Sequence, residues 1–285
     1  MSNAFLDVAA QDKNEKGSYE LTSIGVFCAL VVATAWTVFT FPELIALPFV
    51  VGLAVLAACV RFLHKRSPLT LLTPNLEINW GRLAWGAGVW VLLLTISAIV
   101  EGGQFPERYT LTNTVGAWSF PLLLAICLIP LQAASVELYF RGYLLQWLGL
   151  RWRQPLVLCA LSGLLYAMPH YIEAVYRYGL VPWPLLTGYF IFGVGLAALT
   201  LRTQSAELAV GLHTGHNLFL ALGVHSSEAL VYTPALFMQP TYSYNLWYPL
   251  GATVIALLIV WVLVERQRAP QPVQAGVAVP ESLTK

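Results

Sequence analysis

Charge is what this chain has least of. Asp, Glu, Lys and Arg supply only 10% of its 285 residues, while hydrophobic residues reach 58% and mean hydropathy is +0.69. Soluble domains carry roughly a quarter charged residues, so so little charge excludes a chain that coats itself for water. The net charge of +1 excludes the basic footprint that nucleic acid demands. Cysteine is also scarce. Cys28, Cys59, Cys127 and Cys159 fall inside apolar runs without CxxC or CxxH spacing, which sets aside a disulfide frame or thiolate cluster and leaves buried small hydrophobes. The first twenty residues lack an apolar core and carry Asp7, Asp12, Lys13, Glu15 and Lys16, so a polar cytoplasmic tail is expected there, not a cleaved signal peptide. No long internal repeat is visible, and no loop is large enough to fold as a soluble domain.

What the chain has instead is long apolar runs, near 22–40, 43–62, 83–100, 118–140, 155–172, 183–201, 206–223 and 246–264. A bilayer crossing needs about 20 apolar residues, which these lengths meet or approach. If all eight cross and both ends are cytoplasmic, twelve basic residues fall inside and only Arg108 and Arg177 outside, as the positive-inside rule requires. The expectation is an all-α polytopic membrane bundle of about eight helices over 21–265, between tails at 1–20 and 266–285. Polar membrane residues concentrate at 118–223, the expected core of function. Tyr232, Tyr242, Tyr244 and Trp247 near the last run are expected as an interfacial aromatic belt.

Glu137 is the acidic residue set well inside an apolar run, and Arg141 follows one helical turn later. A membrane carboxylate costs about 2.5–3.5 kcal/mol on insertion scales and so faces a partner or a polar cavity. Arg141 can be that partner on the same helix face. Tyr166 and His170 share a face at i, i+4, beside Pro169, which removes a backbone donor and frees the carbonyl four residues back. His213 and Asn217 project within about 40° of each other, a pairing suited to a developing oxyanion; His216 is turned about 60° the other way and need not join them. Each has a purely structural alternative, an ion pair or polar seam between helices. Glu137, His170 and His213 could also make a His₂-carboxylate zinc set, but no HExxH-type spacing supports one, and histidine with glutamate suffices for metal-free water activation.

Taken in order, Glu137-x-x-x-Arg141-Gly142, Tyr166-x-x-x-His170 and His213-x-x-x-Asn217 resemble the motifs of the CPBP intramembrane proteases, which include type II CAAX prenyl endopeptidases and bacteriocin-immunity (Abi) proteins. The stretch runs from about Pro130 to Leu220 and includes Arg202-Thr203-Gln204-Ser205, which resembles the family's Arg-Thr-Gly-Ser turn. The resemblance implies a helical membrane core around a cavity; from the residues themselves, no cofactor is expected. It implies endopeptidase activity on a membrane-associated peptide or protein, and lipid as the surrounding partner. By motif, Glu137 and His170 would activate water, His213 and Asn217 would form the oxyanion hole, and Arg141 and Tyr166 would position them. A multi-pass protein of the bacterial inner membrane is expected. One position departs. The family's first motif begins with a glutamate doublet, and the member usually assigned as base falls on Val136 here. Adjacent helical positions point about 100° apart. Either a rotated or distorted helix lets Glu137 serve as base, or the chain is an inactive membrane scaffold.

Overall fold

The computed structural model describes residues 3–10, 19–22, 25, 26, 28, 47–112, 119–178, 183–226, 235–239 and 247–268. These form α1 (Ala4–Ala10), α2 (Leu47–Ala58), α3 (Trp80–Gln104), α4 (Ser119–Glu137), α5 (Leu145–Gly149), α6 (Pro155–Tyr178), α7 (Trp183–Thr203), α8 (Glu207–Leu218) and α9 (Trp247–Arg268). Helical π segments extend α2 over Cys59–Leu63, join α4 to α5 over Leu138–Leu144, and extend α8 over Phe219–Gly223. Every expected apolar run from 43–62 onward coincides with a helix. The run at 22–40 and the tail past Arg268 lie almost wholly outside the described residues, as do Tyr232, Tyr242 and Tyr244.

The result is an all-α membrane bundle. Among the described residues α3, α7 and α9 are long and apolar enough to cross a membrane, and Pro48–Leu63 and Pro155–Tyr171 are shorter apolar helices. Outward faces remain apolar: Leu92, Ile96 and Ile99 on α3, and Ile255, Leu258 and Val262 on α9, are exposed at helical spacing. Such stripes suit lipid, because a side chain there has no reason to be polar.

One small sheet caps the bundle. β3 (Phe237–Gln239) runs antiparallel to β1 (Thr110–Leu111) and parallel to β2 (Val224–Ser226), with Met238 opposite both Thr110 and His225.

The seam that positions the site joins α3 to α8. Gly211 and Gly215 stand one turn apart on α8, and a Cβ at either would lie 2.3 Å from the Leu83 carbonyl oxygen or 2.4 Å from that of Ala87. Small residues at this spacing let two backbones touch, which is how membrane helices gain packing without a hydrophobic drive between them. Glu207, almost fully buried, ties the two helix starts together: it accepts from the Asn79 backbone N–H (2.7 Å), the Arg82 guanidinium (3.2 Å) and the Ser205 hydroxyl (2.9 Å). Asn79 in turn caps α3 by accepting from the Arg82 backbone N–H at 2.9 Å. Gly211→Val is expected to prevent this closure and abolish the monodisperse detergent-solubilised protein in gel filtration. Gly251→Ala, where a Cβ meets nothing within 4 Å, should leave it unchanged.

Gln204 stands where the resembled turn carries glycine, and its φ of 55° explains the family's choice. Left-handed backbone costs an L-residue roughly 1–2 kcal/mol. Here the turn is braced from the first residues of the chain, the stretch expected as a tail. Asn3 donates to the Leu201 carbonyl (3.0 Å), and the Gln204 side chain accepts from the Ala4 N–H (3.2 Å). Asn3 also caps α1, whose Phe5, Leu6 and Ala9 are buried.

Candidate active site

The site begins where α4 ends. Glu137 is the last α-helical residue, and the π segment starts at Leu138. A π turn accommodates an extra residue, so side chains beyond it are re-aimed by about 100° relative to a continuous α-helix. The segment starts after Glu137, so Val136 and Glu137 keep their α-helical relation and only the residues beyond are re-aimed. Inside it, Gly142 leaves room for the crossing segment Pro68–Leu71; a Cβ there would sit 2.7 Å from the Leu71 carbonyl oxygen. That contact accounts for glycine after the motif arginine.

Glu137 and Arg141 are both fully buried and meet at 2.9 Å between Oε1 and Nη1. Burying two charges costs several kcal/mol per ion unless further bonds compensate. Arg141 has them: Nη2 donates to the Gly193 carbonyl of α7 at 3.2 Å, and its guanidinium lies 4.5 Å from the centre of the Tyr166 ring. The same Glu137 Oε1 lies 2.6 Å from His213 Nδ1. The second carboxylate oxygen, Oε2, is buried and makes no hydrogen bond to the described residues.

Each sequence-identified residue therefore has a definite place. Tyr166 is the hub: its ring is 5.5 Å from that of His170 and 6.0 Å, edge-on, from that of His213, besides its contact with Arg141. α6 continues helically through Pro169, keeping Tyr166 and His170 on one face. His170 stacks flat on Tyr189 of α7, centroids 3.7 Å apart and planes within 5°. His213 joins Glu137, whereas Asn217, one turn on, donates its amide N–H to Gln132 Oε1 at 2.7 Å. The pair shares a face of α8 but engages α4 at two levels. Among the described residues no three His, Cys, Asp or Glu side chains gather as metal ligands would, the weighed Glu137, His170 and His213 included.

Sequence reasoning missed Gln132, Tyr189, Phe192 and Trp90. Phe192 packs edge-on to His213 with centroids 5.9 Å apart, and Trp90 donates its indole N–H to His216 Nδ1 at 3.2 Å. Gln132 carried a detectable signal, being an amide inside an apolar run five residues before Glu137. The aromatics carried none, because a membrane bundle is full of them.

Apart from Trp90 and the Leu71 neighbour of Gly142, these contacts come from one continuous stretch, α4 to α8. Residues 117–219 match the family model described as Type II CAAX prenyl endopeptidase Rce1-like. Over that stretch the chain is similar to the Rce1-like family. The matched residues include every motif position from Glu137 to Asn217, and the similarity agrees with the apolar helices of an integral membrane protein. The chain is also 32% identical over 181 residues to YyaK of Bacillus subtilis (strain 168), a protein described as uncharacterized. That alignment covers 62% of this chain and 60% of YyaK. No solved structure matches.

Proposed function

We propose that this Rce1-like protein is an intramembrane endopeptidase that hydrolyses a peptide bond of a membrane-associated substrate, with Glu137 as the base. The observation that carries the reading is the division of labour within one carboxylate: Oε1 is held by Arg141 and His213, while buried Oε2 has no partner among the described residues. A buried acceptor of that kind suits a water molecule. Arg141 and His213 hold Oε1 in place and leave Oε2 as the oxygen that would take a proton.

In this mechanism Glu137 Oε2 accepts the proton of a water also contacted by His170, and the water oxygen attacks the scissile carbonyl carbon. His213, held through Nδ1 at 2.6 Å from Glu137 Oε1, takes the oxyanion-stabilising role with Asn217. Asn217 has two amide hydrogens; Gln132 takes one and the other is left for the oxyanion. Glu137 then passes its proton to the leaving amine as the tetrahedral intermediate collapses. Arg141 and Tyr166 position the acid–base groups without touching substrate. We place the protein in the bacterial inner membrane with both termini cytoplasmic and about eight spans.

A second reading, an inactive scaffold that keeps the cavity, draws on Val136, which packs half-buried against the core where the family has its first glutamate. The purified protein in lipid nanodiscs, given membrane-tethered peptides with and without a prenyl group, decides between them by mass spectrometry. Cleavage by the wild-type chain is the expected result. Cleavage by Val136→Glu alone would establish the scaffold instead.

A further inference from the structure

The proposed mechanism leaves His216 unused, although it is placed as carefully as the residues it does use. On α8 the side chains of His216, His213 and Asn217 span an arc of about 100°, with His213 in the middle. His216 also lies within electrostatic reach of both His213 and His170. Its ring centre is 5.1 Å from that of Phe192, the same ring that packs on His213.

The decisive contact comes from α3. Trp90, fully buried, donates its indole N–H to His216 Nδ1 at 3.2 Å. An indole nitrogen is a donor only, so Nδ1 must be the accepting nitrogen and the ring proton of neutral His216 must sit on Nε2. The α3–α8 seam that Gly211 and Gly215 close fixes this pairing, since Trp90 lies one turn beyond Gly86 and Ala87, and His216 directly follows Gly215. His216 is itself only half-buried, so the ring is not sealed into the core.

We infer that His216, locked by Trp90 as the Nε2–H tautomer, is a third hydrogen-bond donor of the α8 face and donates to the carbonyl oxygen of a bound peptide. This inference rests on the endopeptidase reading and deepens it. A neutral N–H suits a carbonyl that is uncharged in the ground state and anionic in the transition state. It would supplement Asn217, one of whose two N–H bonds is committed to Gln132.

Two substitutions separate the donor role from a merely structural one. His216→Gln places an N–H near the position of Nε2 but gives up the acceptor for Trp90. His216→Asn keeps an acceptor near the position of Nδ1 but loses the donor. If His216 serves the substrate, His216→Asn should lose roughly 10²-fold in kcat with KM little changed. His216→Gln should stay within about tenfold of wild type on the same scale. The reverse order, equal losses, or no loss in either would overturn the proposal.

A second readout needs neither variant to fold nor the enzyme to turn over. Nitrogen-15 histidine spectra of the wild-type protein in nanodiscs should show His216 as the neutral Nε2–H tautomer. A membrane-tethered peptide should shift its Nε2 resonance. A proton on Nδ1, or no response to any bound peptide, would overturn the inference. Absence of cleavage alongside the expected spectra would count against the endopeptidase reading, not against the Trp90–His216 assignment.

Discussion

Glu137→Gln is expected to lower turnover by about 10²–10⁴-fold, the range that a positioned general base contributes, while the protein still folds. Glutamine has the same shape as glutamate. Its oxygen can keep the bonds to Arg141 and His213 that Oε1 makes now, at 2.9 and 2.6 Å. The lost property is narrow: an amide nitrogen in the place of Oε2 cannot accept a proton from water. Turnover in nanodiscs, compared with a thermal melt of the same sample, separates the two effects. Full activity in Glu137→Gln would remove Glu137 from the chemistry and leave it a structural partner of Arg141.

Arg141→Met should have the largest effect on stability. It strips the buried carboxylate of its counter-ion and empties the contacts to the Gly193 carbonyl and the Tyr166 ring. Removing one partner of a buried pair costs about 3–5 kcal/mol, because the remaining charge is left in a medium that cannot solvate it. Most of that penalty belongs to the stranded charge. The double variant Glu137→Gln/Arg141→Met should therefore unfold closer to wild type than Arg141→Met alone, with a coupling of roughly 1–3 kcal/mol in a double-mutant cycle. Denaturant unfolding in mixed micelles measures it. Strict additivity would show that Glu137 and Arg141 are stabilised independently, through His213 and Gly193, and not by each other.

The sequence made different parts of this site visible to different degrees. Glu137 with Arg141, and Tyr166 with His170, were legible because helical spacing alone puts residues four apart on one face, and both pairs do meet. The membrane bundle was legible for a similar reason: run length and low charge define each helix without knowledge of its neighbours. Contacts between helices were not. That His213 reaches Glu137 while Asn217 reaches Gln132 depends on how α8 crosses α4, and spacing along α8 carries no such information. Tyr189 under His170 and Trp90 against His216 are likewise products of the crossing angles. The π segment after Glu137 was not legible either, because an extra residue in a turn has no periodicity of its own to betray it.

Two side chains near this site would support a different chemistry. Cys159 and Ser162 are both buried on α6, two turns and one turn before Tyr166, and the Ser162 hydroxyl has no hydrogen bond among the described residues. Either could in principle be acylated, whereas a Glu137-activated water forms no covalent intermediate. Acid-quenched intact-mass spectra across a single turnover in ¹⁸O-water distinguish the two most directly. The expected result is one ¹⁸O in the new carboxyl terminus of the cleaved peptide and no added mass on the protein at any time. An acyl-protein species that appears and decays at the rate of turnover would contradict direct attack by water at Glu137.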